Sequence, residues 1–344
     1  MRPPRPLDNR RIKSETSGVL FPAPAPKLIG IARLAAESPV LEAKSQVEYF
    51  ELDAGSLLNR CSSARMPFTW TINPYRGCEF GCHYCYARYT HEFMELPESR
   101  DFEEKIYAKG RAAELLRQEL RRHPEGEIAI GTATDPYQPA ERRFGVTRSL
   151  LEVFAGVRGR VLSITTKSDL IRRDVELLRE VARRNVLHLN ITITTLDVEL
   201  ARKLEPRAPR PDLRMDGVAE LAAAGLSVGV FLNPILPGLT DGVANLDRVA
   251  GAAKAAGAGY LGGGVLFLRP SAQKEFFPFL DREFPVLARK YRERFAHSAY
   301  LRGRYAEMLK ERVARIRARH GLVSAPVEYR PELASETEQL MLGV

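Results

Sequence analysis

Phe68-Thr-Trp-Thr-Ile-Asn-Pro-Tyr-Arg-Gly-Cys78-Glu-Phe-Gly-Cys82-His-Tyr-Cys85 is the stretch on which the fold turns. Its first six residues alternate apolar and polar side chains and include β-branched members, the pattern of a half-buried strand. Three cysteines follow within eight residues, spaced C-x3-C-x2-C, so a strand runs directly into a thiolate-bearing loop. Thiolates are soft ligands, and crowded cysteine loops hold iron–sulfur clusters. A [4Fe–4S] cube has four irons, so three thiolates leave one iron without a protein ligand. Open metal positions are where chemistry occurs, whereas closed ones are structural. Structural zinc prefers four ligands in paired clips, and the remaining cysteine, Cys61, has no C-x2-C partner. His83 leaves a distorted zinc site open as an alternative, and a plain redox thiol is another. A disulfide framework does not suit so few cysteines in so long a chain.

Downstream of the loop, strand and helix patterns alternate. Strands are expected at 127–131, 161–166, 186–195, 226–232 and 260–268, in addition to 68–73. Helices are expected at 111–120, 147–156, 174–182 (with Asp174 as cap), 211–224 (closed by Gly225) and 244–256. Parallel strands need helical crossovers, so six such repeats imply a parallel sheet. Six strands with one mouth suggest α/β architecture of the partial (β/α)6 TIM-like kind rather than a closed eight-stranded barrel. Function in such folds sits at the C-terminal strand ends. Residues 276–321 change to charged helical sequence, expected as two helices on the barrel flank, with Leu309, Val313 and Ile316 forming an apolar stripe. The division expected is an N-terminal extension at 1–66, partly flexible in its Pro-rich first 30 residues, a core barrel at 67–275, and a basic C-terminal helical extension at 276–344.

Composition limits the classes available. The chain has 344 residues, a formal charge of +9 and 44% hydrophobic residues, ordinary for a globular protein. No stretch approaches the run of about eighteen apolar residues that a membrane helix needs, and the start lacks a secretory h-region. A cytoplasmic, reducing location is expected. Residues 281–320 hold twelve Lys or Arg against five Asp or Glu. Such a face can attract nucleic-acid phosphates or be an ordinary solvated helix surface.

The run Thr71-Ile-Asn-Pro-Tyr-Arg-Gly-Cys78-Glu-Phe-Gly-Cys82-His-Tyr-Cys85-Tyr-Ala-Arg88 resembles the cluster loop of radical S-adenosylmethionine (SAM) enzymes, in particular the bacterial branch related to spore photoproduct lyase. Thr134-Asp-Pro-Tyr-Gln-Pro-Ala-Glu141, Thr165-Thr-Lys-Ser168, Ile191-Thr-Ile-Thr-Thr-Leu-Asp197 and Asn233-Pro-Ile-Leu-Pro-Gly238 fall where that branch has strand ends, so the resemblance spans about residues 67 to 270. It implies a partial barrel, a [4Fe–4S] cluster on Cys78, Cys82 and Cys85, and SAM on the open iron. It further implies reductive cleavage to a 5′-deoxyadenosyl radical, in lyase or other radical chemistry, and a reducing partner such as flavodoxin or ferredoxin.

The same resemblance assigns candidate SAM contacts. The Gly-Gly-Glu-type run common after the second strand is replaced by Gly131-Thr-Ala-Thr-Asp135, so Thr132, Thr134 and Asp135 become acceptors for the methionine ammonium, with plain turn chemistry as the alternative. Lys167 supplies a cation for the carboxylate. Thr192 and Thr194 share one strand face and offer hydroxyls to carboxylate or ribose, although Thr also simply favours strands. Asn233 suits ribose or adenine. Tyr84 is placed near adenine, and Tyr86 is either similar or core. Arg76 and Arg88 bracket the loop, as tuners, substrate holders or surface ion pairs. In the lyase branch a separate cysteine returns a hydrogen atom. Cys61 is the catalytic candidate for that part here, with a buried, inert thiol as its other role. Outside the resemblance stand two other classes: an electron-transfer iron–sulfur protein and a zinc-dependent nucleic-acid-binding module.

Overall fold

The computed structural model describes residues 28–331, apart from Ser45, Ala64, Arg65, Pro97, His123, Pro124, Glu328 and Arg330. Most of the Pro-rich first 30 residues and the last thirteen lie outside it. In chain order the described strands are β1 (Val40–Lys44), β2 (Val47–Leu52), β3 (Leu58–Arg60), β4 (Trp70–Ile72), β5 (Tyr75–Arg76), β6 (Lys105–Lys109), β7 (Ile128–Ile130), β8 (Val161–Thr166), β9 (Val186–Thr192), β10 (Ser227–Phe231) and β11 (Tyr260–Gly262).

Six of these form one parallel run, β4-β7-β8-β9-β10-β11, in sequential order, and β3 adds antiparallel at the β4 edge. Sequential parallel order with helical crossovers is the construction of a barrel wall. β8 alternates, with Leu162 and Ile164 fully buried, whereas β9 is buried along nearly its whole length. Covered on both faces, a central parallel strand has no polar side to show. Helices Val146–Ala155, Val175–Arg184, Pro211–Ala223 and Val243–Ala255 return the chain between strands. Each turns an apolar face to the sheet; Leu150, Leu178, Leu221 and Leu246 are fully buried. Each such side chain contributes roughly 1.5–3 kcal/mol. Gly225 closes its helix as expected. Its φ of +77° is open to glycine, and its N–H and that of Leu226 bond to Ala222 O and Leu221 O.

The differences from expectation have local causes. β11 ends at Gly262 instead of continuing to 268, because Gly263 and Gly264 offer no side chains to pack and the Gly264 N–H goes to Asn233 Oδ1. β9 stops at Thr192. Thr195 Oγ1 then takes the Asp197 N–H, and Asp197 caps a short helix, Val198–Leu204. Asp174 begins its helix without capping it: its carboxylate is buried and paired with Arg148 and Arg173. The C-terminal region holds three helices, Pro270–Glu283, Pro285–Phe295 and Arg304–Arg319, not two. Pro270 and Pro285 sit in the first turn, where a missing N–H costs nothing, and Pro278 is tolerated inside the first helix.

A second sheet, β1-β2-β6-β5, packs beside the barrel; residues 31–66 read in sequence as a mixture of helix and strand, but this pairing with β6 and β5 lies outside the sequence expectations. β2 and β6 are parallel, and β5 pairs antiparallel with β6, Tyr75 opposite Ala108 and Arg76 opposite Tyr107. The apolar stripe Leu309, Val313 and Ile316 is buried in the main core. Several of the C-terminal cations are engaged locally: Arg289 with Glu293, Arg292 with Asp281, and Arg319 with Asp247. Among the described residues no helix is long and apolar enough to cross a membrane.

Candidate cofactor and active site

The cysteine loop leaves β4 at its C-terminal end, passes through β5, and is fastened from every side. Gly77 has φ +81°, and a Cβ there would lie 2.8 Å from both Lys105 O and Phe102 O, so only glycine permits the turn. Cys78 N–H bonds to Phe102 O at 2.8 Å. From the end of β7, Thr134 Oγ1 and Gln138 Nε2 donate to Gly77 O, and Gln138 Oε1 accepts from Glu79 N–H. From beyond β9, Leu204 O accepts His83 N–H, and Arg207 N–H reaches Phe80 O. Arg88 donates to Cys82 O and forms a buried ion pair with Glu103 at 2.7 Å. All of these anchors lie at the mouth, where a parallel barrel keeps its chemistry.

The three thiols share one another's field. Burial is the largest cause holding Cys78 well above the ordinary thiol value, reinforced by Asp135, Cys82 and Cys85. Burial likewise pushes Cys82 up to about 12 against the opposing pull of Lys167, and raises Cys85 against that of Arg88. Left to themselves these groups stay protonated at neutral pH. Thiolate character here needs added positive charge, which a metal cluster provides. The donor set therefore fits an iron–sulfur cluster. Zinc finds no fourth ligand in the expected places. His83 Nδ1 is taken by Glu275 at 2.9 Å and its ring stacks on Phe279 at 4.2 Å. Cys61 follows β3, and its N–H bonds to Thr69 O at the N-terminal end of β4. It is thus at the opposite end of that strand from the loop, away from any hydrogen atom handled at the mouth.

The remaining candidates separate into those facing the loop and those spent on scaffolding. The Lys167 amine lies 5.7 Å above the Tyr84 ring and makes no ion pair among the described residues. Asp135 Oδ1 accepts from Thr166 Oγ1 and Tyr137 N–H, and Oδ2 from Lys167 N–H; burial raises its pKa. That carboxylate ties β7 to β8 as well as facing Cys78. Thr132 exchanges hydrogen bonds with Asn73, and its carbonyl accepts the Tyr86 hydroxyl. Asn233 links the ends of β10 and β11. Thr192 is buried and its carbonyl accepts from Arg214. Tyr86 is not core: it is 39% exposed on the rim, 6.0 Å from Phe267, which stacks on Tyr300 at 4.3 Å.

Beneath Tyr84 is a buried network that the sequence expectations did not contain. The Tyr84 hydroxyl donates to Glu205, Thr194 Oγ1 reaches the same carboxylate at 3.4 Å, and Arg214 pairs with it at 2.6 Å. Glu205 and Arg214 side chains are 0% and 1% exposed. Burial pushes the Glu205 carboxyl up, but Arg214 and then Lys167 outweigh it and hold it below its ordinary value. Arg214 had a signal: Pro211, Arg214, Gly217, Val218 and Leu221 make the buried face of one helix, and arginine occupies an apolar position.

Comparison with known proteins agrees with this geometry. The model of the radical SAM superfamily matches residues 72–249. An uncharacterized protein of Mycobacterium tuberculosis is 37% identical over 301 residues, covering 87% of each chain. One of Methanocaldococcus jannaschii is 27% identical over 242 residues, 70% of this chain and 85% of that one. Among solved structures, a spore photoproduct lyase variant superposes with a TM-score of 0.59 at 13% identity, covering 80% of both chains. Another variant of that lyase, holding AdoMet and dinucleoside spore photoproduct, gives 0.58 at 15% identity over 88% and 87%. At such identities the likeness is one of fold.

Proposed function

This chain belongs to the radical SAM superfamily, and from that premise we propose that Cys78, Cys82 and Cys85 hold a [4Fe–4S] cluster whose open iron takes S-adenosylmethionine. When bound, the reduced cluster and its cofactor supply a 5′-deoxyadenosyl radical that removes a hydrogen atom from a substrate, in lyase or related radical chemistry. One observation carries the proposal: three buried thiols within one another's field, anchored at the C-terminal ends of a six-stranded parallel wall.

The chain's own residues would then orient the cofactor and keep water away. Lys167, unpaired and facing Tyr84, suits the methionine carboxylate by charge. Tyr84 is fixed through Glu205 and Arg214, so its ring presents a rigid surface beside the thiols. Thr132 and Thr134 line the end of β7, with Asp135 as a further acceptor whose Oδ2 takes one hydrogen bond, from Lys167 N–H. Asn233 sits across the mouth at β10.

The test is anaerobic reconstitution with iron and sulfide, reduction with dithionite, and chromatography for 5′-deoxyadenosine. Cluster absorbance and cofactor cleavage are expected from the native chain, with both lost on Cys82→Ala. A native chain that retains zinc instead, or that releases no deoxyadenosine, would overturn the proposal.

A further inference from the structure

Beside the loop, on the β5–β6 ribbon, lies a second concentration of charge with no ion pair among the described residues. Arg76 stands opposite Tyr107, and Lys109 N–H bonds to Pro74 O at 3.2 Å. Arg76 and Lys109 are therefore diagonal neighbours on one face of the ribbon, roughly 7–8 Å apart at their side-chain roots. That face looks away from the main core, since Tyr75 and Ala108 point into the core while Tyr107 belongs to the small cluster with Leu52 and Met94. Lys109 is 5% exposed, and its amine has no hydrogen bond or ion pair among the described residues. Arg76 Nε is buried without a partner, and among the described residues no carboxylate forms an ion pair with that guanidinium. The field of Arg76 reaches Tyr89, and Arg269 lies 4.2 Å over the Tyr89 ring, also without an ion pair.

Buried cations are normally paired, because desolvation without compensation is costly. Two like charges on neighbouring positions of one ribbon face compound that cost. The arrangement makes sense when an anion completes it. We propose that Arg76 and Lys109, with Tyr89 and Arg269 at the margin, form a binding site for a phosphate group. A guanidinium fork and an ammonium together match a tetrahedral, doubly charged oxyanion; a carboxylate would balance only one of them. The repulsion is visible in Lys109, which burial and then Arg76 lower to about 8, against a smaller opposing effect of Glu119. Phosphate can come as the free ion or as a phosphomonoester carried by a substrate or effector. The site stands without the cluster, so its test and the deoxyadenosine test fail independently.

The experiment measures thermal unfolding and titration calorimetry on the full reconstituted chain in phosphate-free buffer. Added ligands are inorganic phosphate, ribose 5-phosphate, and chloride at matched ionic strength. A saturable rise in Tm with either phosphate compound, above that with chloride, is expected. Tighter binding of the sugar phosphate would identify an esterified phosphate, and equal or weaker binding the free ion. Lys109→Met and Arg76→Gln should each weaken binding about tenfold or more. Absence of any phosphate effect on the native chain, or its full survival in Lys109→Met, would overturn the site. Should Arg76→Gln misfold through the neighbouring loop, the native titration and Lys109→Met decide alone.

Discussion

Two groups of buried or half-buried charge flank the cysteine loop, and they are built on opposite terms. On the barrel side, Glu205 is met by Arg214, Tyr84 and Thr194, with Lys167 near. On the small-sheet side, Arg76 and Lys109 face each other's charge with no ion pair among the described residues, although the field of Glu119 reaches Lys109. The first pairs its buried acid with Arg214 within the chain and can act as scaffold. The second is complete only with something added, and is therefore a site. Whether a buried charge supports a fold or awaits a ligand depends less on its burial than on its partners.

The comparison is strained hardest by Glu205→Gln. It leaves Arg214 almost wholly buried without a counter-charge and puts an amide NH2 in place of one of the two oxygens that hold Arg214 and Tyr84. Loss of one member of a buried pair costs about 3–5 kcal/mol. Denaturant unfolding of the metal-free chain should show a loss of that order, together with poorer cluster incorporation. A loss below about 1 kcal/mol, the scale of an exposed pair, would mean that the barrel-side network is no scaffold.

Lys109→Met should act with the opposite sign. Without phosphate, replacing an uncompensated buried cation by an apolar side chain of similar length should stabilise by about 1–3 kcal/mol. The pH dependence sharpens this. The folded-state pKa of Lys109, about 8, lies below its ordinary value, with burial the chief cause, Arg76 next and Glu119 opposing. The unfolded chain therefore binds the proton more readily, and the penalty is full below pH 8. It fades as pH rises from about 8 toward the ordinary lysine value near 10.4. The variant's advantage over the native chain should close across that interval. An advantage independent of pH would assign the gain to packing alone.

How much of this was legible in the sequence follows the range of the interactions. β8 and the helix Pro211–Ala223 announce themselves by short periods and by local signals such as Gly225. The spacing of Cys78, Cys82 and Cys85 points by itself to an open-site cluster, with zinc and a plain redox thiol as the alternatives. Lys167 is singled out by the resemblance of its segment, since a lysine at a strand end by itself reads equally as a solvent-facing charge. The pairing of Arg76 with Lys109 is not legible, since it depends on the register between a two-residue strand and one thirty residues later. Glu205 was hidden for the same reason, its partners coming from residues 84, 194 and 214. Cys61 illustrates the converse: seventeen residues before Cys78 in sequence, it is carried by an antiparallel edge strand to the wrong end of β4.

The smallest effect, and the most direct contrast, is Lys167→Met, the same substitution on the other side of the loop. Burial lowers the Lys167 pKa, but Cys82 and Glu205 outweigh that and the net shift is upward. A raised lysine contributes stability that is present below its ordinary pKa and lost only as pH climbs through the raised one. With Cys82 protonated at neutral pH, Glu205 is the main acid left to attract this amine, and removing the lysine should cost stability by about 1 kcal/mol, since Arg214 still compensates Glu205. Denaturant unfolding of the metal-free chain measures it alongside Lys109→Met. Opposite signs from one chemical change would show that the partners set the outcome. If Lys167→Met instead stabilises as Lys109→Met does, then Lys167 too is an uncompensated cation. The barrel-side cluster would then be, like its neighbour, unfinished without a bound anion.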